Sequence, residues 1–261
     1  MDNQYGIYTL NNQEYKQITV LGNSILNSRF EFESLSLKPA YEGMSGYSLR
    51  PKYGAYFSRA PKINFTNCNF INLNGVAASM SRSNIVGGSF EDRRNYKDLI
   101  GVLFQNAGFS NLIKDVKFNN CYKGIVLANC IASKINVEHN LFETNFFDLA
   151  TSGTFGIQAY GCYNSSIIIS NVNKFLINNG TSLEISGSTT YLKIDDNEFV
   201  QDGNYAKLMR FNNVNAGHSY ISNNRINGLA GNVINKIELN NCKYFDIINN
   251  TFNLNSTTST G

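Results

Sequence analysis

Val137-Glu-His-Asn140-Leu-Phe142, Ile194-Asp-Asp-Asn197-Glu-Phe199, Ile221-Ser-Asn-Asn224-Arg-Ile226 and Ile247-Ile-Asn-Asn250-Thr-Phe252 are copies of one pattern, apolar-x-x-Asn-x-apolar, usually closed by Phe. Val20-Leu-Gly-Asn23-Ser-Ile25 matches it as well. Looser copies close at Phe70, Phe90 and Phe118, and a longer one closes at Phe175. The closing anchors at 70, 90, 118, 142, 175, 199, 226 and 252 stand 20, 28, 24, 33, 24, 27 and 26 residues apart. Recurrence at roughly two dozen residues marks a repeat architecture, in which each unit buries its apolar face only against its neighbours.

A second pattern falls between the anchors. Val76-Ala-Ala78, Val102-Leu-Phe104, Ile125-Val-Leu127, Ile157-Gln-Ala159, Leu183-Glu-Ile185, Met209-Arg-Phe211 and Ile237-Glu-Leu239 are apolar-x-apolar triplets, the first four of them preceded by Gly. Three residues beyond each triplet's end comes a compact side chain: Ser81, Ala107, Cys130, Cys162, Ser188, Val214 or Cys242. Alternation with period two is strand patterning, and short strands repeated at this interval pair with their equivalents in neighbouring rungs. The motif Asn tolerates left-handed backbone at a bend and can bond to the next rung, which makes its column structural. The expected fold is all-β, a single-stranded right-handed parallel β-helix (solenoid) of about nine to ten rungs. Residues 63–252 should form its regular part, 1–62 irregular N-terminal rungs and loops, and 253–261 a polar tail.

Composition narrows the function. Of 261 residues 16% are charged, below the roughly 25% of an average soluble domain, and the net charge is only +3. Asn makes up roughly one residue in six while Pro occurs 3 times, so neutral amides and turns dominate the surface. Basic residues do not gather into runs interleaved with aromatics, which argues against a nucleic-acid partner. The opening MDNQYGIYTLNNQEYKQ lacks the basic-then-apolar order of a secretory leader, and no apolar run approaches the ~18 residues of a membrane span. Neither export by a leader nor membrane insertion is expected. Cys68, Cys121, Cys130, Cys162 and Cys242 are an odd set in a chain too long to need disulfides, which points to folding under reducing conditions.

The cadence of apolar-x-x-Asn-x-Phe, a variable stretch and then Gly-Ile-x-apolar over residues 63–252 resembles the pectate-lyase-like right-handed β-helix superfamily. It is most similar to the β-helix domains of phage tailspikes and tail fibres. The superfamily includes polysaccharide lyases, glycosidases, epimerases and adhesins, so the fold alone does not fix chemistry. The tailspike resemblance implies a homotrimer in the virion tail, made in the host cytoplasm, that recognises a bacterial surface polysaccharide and in one version depolymerises it. The alternatives are a polysaccharide lyase or glycosidase of the same superfamily, and a non-catalytic rod or adhesin. No cofactor and no metal is expected.

Stacking turns sequence columns into surface columns about 4.8 Å apart. The outward middle positions of the triplets run Ala77, Leu103, Val126, Gln158, Glu184, Arg210 and Glu238. Glu184 and Glu238 would stand two rungs apart, about 9.6 Å between backbones, with Arg210 between them. That spacing suits an inverting glycosidase pair, with Arg210 contacting an acidic sugar, and it equally suits a cross-strand ion ladder that fixes register. The next column holds Tyr160, Asn212 and Asn240, which with Gln158 offer hydroxyl-binding groups beside an aromatic face. Tyr163 and Tyr205 are further stacking candidates, and Arg93, Arg94, Tyr96 and Lys97 form a cationic-aromatic loop suited to an acidic glycan or a neighbouring subunit. Glu138-His139 and Asp195-Asp196 read better as solvated turns than as a base or a calcium site, and the Cys130, Cys162 and Cys242 column as core filling.

Overall fold

The computed structural model describes residues 5–10, 23–27, 29–31, 53–59, 62–93, 99–144, 154–177, 180–201, 207–229 and 237–255. These residues form 23 strands. Their ladders are parallel throughout, and each strand pairs with its equivalent one turn of chain away. Three lanes result. The first runs from Tyr5–Leu10 through Tyr53–Ser58, Val76–Ser79, Ile100–Gln105, Lys123–Ala128 and Phe155–Tyr160 to Ile237–Asn240. The second runs from Asn23–Leu26 to Lys243–Ile248, and the third from Arg29–Glu31 to Thr251–Asn255. The long strands Ile63–Ile71, Ser83–Glu91, Thr181–Asp195 and Lys207–Ser222 pass through a bend and serve two lanes each. The chain is a parallel β-helix whose described lanes each hold nine strands.

The apolar alternation explains the winding. In the first lane both ends of each triplet point inward, from Val76 and Ala78 to Met209 and Phe211, and are buried. The compact column turns inward as well, with Ser81, Ala107, Cys130, Cys162 and Val214 fully buried at the corner between the first two lanes. In the third lane the closing anchors are in register from Phe70 to Phe252. Phe118, Phe142, Phe175 and Phe199 stack with centroids 4.7, 4.6 and 4.7 Å apart and nearly parallel planes. Ring spacing thus follows the strand spacing as far as Phe199, beyond which Ile226 takes the anchor position.

The Gly before the triplet answers to that column. A Cβ on Gly124 would lie 2.6 Å from the Gly156 carbonyl oxygen and 2.8 Å from the Phe142 ring. Both are packed groups with little freedom to yield. Gly124→Ala is therefore expected to destabilise the protein by about 1–3 kcal/mol, the range for overpacking a well-filled core. Urea unfolding checks this, and an unchanged midpoint would mean that ring and glycine are not apposed.

The motif asparagines form a buried ladder. The Oδ1 atoms of Asn140, Asn173, Asn197, Asn224 and Asn250 accept from the backbone N–H of Val116, Asn140, Asn173, Asn197 and Asn224 respectively, at 3.0, 2.9, 3.2, 3.0 and 3.0 Å. Each Nδ2 donates to a carbonyl of the preceding rung, for example Asn197 to Ile169 at 2.9 Å. One detail differs from the sequence reading. The left-handed conformation falls on the residue before each Asn: His139 at φ 52°, Val172 at 57°, Asp196 at 55°, Asn223 at 55° and Asn249 at 54°. That residue turns the chain, which leaves the Asn in ordinary backbone geometry with its amide aimed along the stack.

The Val20–Ile25 copy is also placed differently. Ile25 pairs with Phe65 in the second lane, and Phe30 takes the anchor position beside Phe70. A five-residue offset went unseen because Val20-x-x-Asn23-x-Ile25 satisfies the pattern by composition alone. At the opposite end, Leu239, Ile247 and Phe252 occupy inward columns but are 39%, 47% and 45% exposed, because no described rung lies beyond them.

Candidate functional site

The solvent face of the first lane brings the charged column together as the triplets imply. Gln158, Glu184, Arg210 and Glu238 are consecutive in register. Before them, Ala77, Val126 and Ala128 hold outward positions and are nonetheless buried. The charged part of this middle column is therefore confined to the later rungs.

Those side chains are tied to one another. Lys123 Nζ donates to Gln158 Oε1 at 2.9 Å, Gln158 Nε2 to Glu184 Oε1 at 3.0 Å, and Arg210 Nη1 to Glu184 Oε2 at 2.7 Å. Lys207 Nζ donates to Glu238 Oε2 at 2.8 Å and Asn240 Nδ2 to Glu238 Oε1 at 2.6 Å. Arg210 Nε stands 3.8 Å from Glu238 Oε2, too far for a hydrogen bond, and has no other acceptor among the described residues. Burial lowers the pKa of Lys123, partly offset by the Glu184 charge, and its amine lies 5.6 Å from the Phe155 ring centroid. Hydrogen bonds from Lys207 and Asn240 hold the Glu238 carboxyl below the usual carboxylate range, with the Lys207 and Arg210 charges adding to them.

This arrangement has a chemical consequence. An inverting glycosidase needs one carboxyl kept protonated, with its pKa raised. Glu238 is displaced in the opposite direction, and both carboxylates already accept from neighbouring donors. Alternating charge on adjacent strands gives favourable pairing along the ladder and discourages slips in register.

Asp195 is lowered too. Partial desolvation raises it, but hydrogen bonds from Ser222 Oγ at 2.7 Å and Asn223 Nδ2 at 2.8 Å, together with Lys193, outweigh that. For a carboxyl whose folded pKa is depressed, the stabilisation is complete above the unfolded value, about 3.9 for Asp and 4.3 for Glu, and is lost as pH falls through the folded pKa. The thermal midpoint should therefore vary little from pH 7 to 5 and fall below about pH 4. The double variant Asp195→Asn, Glu238→Gln should show a shallower acid limb, and an identical limb would mean that neither carboxylate is held as described.

The remaining sequence candidates divide. Tyr160 is 40% exposed at the edge of the face, and Asn240 Nδ2 donates to Asn212 Oδ1 at 2.8 Å, so Tyr160, Asn212 and Asn240 belong to one surface with Gln158. Arg93 lies after the third lane, where its Nε pairs with Glu91 at 3.1 Å. Arg94, Tyr96, Lys97 and Tyr205 lie outside the described residues. His139 stands 3.7 Å from Asp115 on an exposed turn. The Cys130 thiol is pushed up by its hydrogen bond with Cys162 and by burial, and Cys121 by burial, so these sulfurs serve as core atoms rather than nucleophiles. Among the described residues no group of three or more His, Cys, Asp or Glu side chains is placed to hold a metal ion.

One surface was singled out by the sequence only at Tyr163. At the corner between the first two lanes Phe109 is 68% exposed, Ile131 56%, Tyr163 48% and Tyr244 63%. Aligning the one or two residues after the compact column would have found it, since bulky groups recur there beside Ser, Ala and Asn. Comparison with protein-family models gave no match, and comparisons with curated proteins and with solved structures gave none either.

Proposed function

We propose that this β-helix binds a bacterial cell-surface polysaccharide, in the manner of the tailspike and tail-fibre proteins that its repeat resembles, and that it holds the polymer without cleaving it. One observation carries this reading: the polar first-lane face offers amides and Tyr160 to a ligand, while its carboxylates are closed into an ion ladder. Amides match sugar hydroxyls, and a tyrosine ring matches the apolar face of a pyranose. Columns repeating about every 4.8 Å suit a polymer better than a single small molecule. On this face Glu238 is held below the usual carboxylate range, which does not favour the depolymerase version. A homotrimer displayed on a virion tail is the assembly that the same resemblance implies.

The test is incubation of purified protein with a panel of capsular polysaccharides and lipopolysaccharides, scoring retention on the glycan and release of oligosaccharides. Retention without release is expected. Release that disappears in Glu184→Gln or Glu238→Gln would replace binding by catalysis at the ladder. Absence of both retention and release would favour a structural rod.

A further inference from the structure

At the corner between the first two lanes, left-handed backbone and exposed apolar side chains coincide in several rungs. Phe109, His218 and Tyr244 adopt left-handed backbone at φ 70°, 47° and 62°. A bulky residue is unfavourable there, whereas Asn is tolerated, and Asn164 fills such a corner position at φ 50°. The same side chains gain little from burial, since Phe109 and Tyr244 are 68% and 63% exposed. Strain combined with exposure is destabilising on both counts, a combination that gathers at functional sites.

The pattern extends along the rod. Phe109, Ile131, Tyr163 and Tyr244 stand at this corner in different rungs, with Ile131 bridged in register to Tyr163 and His218 6.3 Å from Tyr244. Between them lie amides, and Asn241 Nδ2 donates to Asn213 Oδ1 at 2.8 Å. Segments 106–110, 129–133, 161–165, 213–219 and 241–244 contain one formal charge, Lys243. A line of rings and one aliphatic group, spaced by rungs and edged with neutral amides, is complementary to a neutral polymer that alternates apolar ring faces with hydroxyls.

We infer that this corner binds an extended neutral glycan lying along the rod axis, with its sugar rings stacking on Phe109, Tyr163 and Tyr244. The inference rests on the polysaccharide-binding reading and deepens it by extending the contact from the first-lane face to the adjacent corner and by specifying a neutral ligand. An aromatic contact of this kind is worth about three- to tenfold in affinity.

Phe109→Asn, Tyr163→Asn and Tyr244→Asn remove the rings and, at positions 109 and 244, supply a residue that accepts the left-handed backbone. At those two positions the thermal midpoint is expected to hold or rise, so loss of binding there would not reflect unfolding; Tyr163 begins a strand, and its variant's midpoint is measured alongside binding. Each variant and the wild type are tested for retention on immobilised neutral glucan, neutral galactomannan and acidic alginate, with mass measured by light scattering. The expected result is wild-type retention on a neutral polymer, weakened about three- to tenfold by each substitution. Retention unchanged in the corner variants, or confined to alginate and lost in Arg210→Ala, would overturn the corner assignment and leave polysaccharide binding standing. Corner variants that dissociate an oligomer while retaining glycan would make the corner an interface between copies, again overturning the assignment. Wild-type protein that binds none of these polymers while binding other surface glycans would remove the neutral-glycan site alone. Failure on every glycan would remove both readings.

Discussion

Asn197→Ala is expected to lower stability by about 3 kcal/mol, one of the two largest effects of any single substitution considered, with the cost arising from unpaired groups rather than lost volume. Asn197 Oδ1 accepts from Asn173 N at 3.2 Å and from Asn173 Nδ2 at 2.9 Å. Its Nδ2 donates to the carbonyls of Ile169 and Asp195 at 2.9 and 3.0 Å and to Asn224 Oδ1 at 3.0 Å. Alanine removes all of these at a site that is 3% exposed. The Asn173 amide loses its acceptor and the Ile169 carbonyl a donor, and each buried group left unpaired costs about 1–3 kcal/mol. Asn197→Asp should be at least as damaging, because it sets a carboxylate oxygen against the Ile169 carbonyl and Asn224 Oδ1. Urea unfolding of wild type and both variants measures the loss. A change under about 0.5 kcal/mol for Asn197→Ala would show that the ladder is dispensable.

Phe142→Ala should cost about 3–5 kcal/mol, the range for truncating a buried ring. The ring lies 4.7 Å from Phe118 and 4.6 Å from Phe175, at interplanar angles of 3° and 2°. It is 1% exposed, so truncation opens a cavity between two rings that the strand spacing holds in place. Collapse of the column is opposed by the backbone ladders on either side. Phe142→Leu keeps most of the volume and is expected to cost under about 1.5 kcal/mol. Phe142→Ala paired with Phe175→Ala should depart from additivity, because the second truncation enlarges an existing cavity. A purely additive pair, or a loss below about 1 kcal/mol for Phe142→Ala, would contradict the stacked column.

The sequence revealed what depends on period and little of what depends on irregularity. Inward columns repeat because each rung must bury the same positions, so the Phe anchors, the triplets and the compact corner position could all be aligned before any coordinates. The charged column followed from them, since outward positions alternate with inward ones. Its chemistry was less readable. Whether Glu184 and Glu238 face a substrate or Arg210 and Lys207 depends on rotamers and on Lys207, which lies outside the triplet used for alignment.

The corner beyond Tyr163 was not legible for a related reason. Phe109 pairs with Ser133, while Ile131 pairs with Tyr163, so the bulky group moves by two positions between the first of these rungs and the next and forms no clean sequence column. The register also shifts between Asn215 and Ser219, which displaces His218 relative to Tyr244. The Ile25 misplacement is the converse case, a motif matched by composition where the register was set by Phe30 and Phe65.

The stacked register underlies both functional proposals, and pulsed electron spin resonance tests it directly. Nitroxide labels at Ser79→Cys combined with Ser186→Cys, Asn212→Cys or Asn240→Cys probe positions that stand in one outward column. Cys242→Ser removes the one native thiol that is not buried. At about 4.8 Å per rung the three backbone separations should rise in even steps, roughly 19, 24 and 29 Å. Distances that increase in that order by near-equal steps are the predicted result. Distances that are equal or out of order would contradict the solenoid and with it every surface column described above.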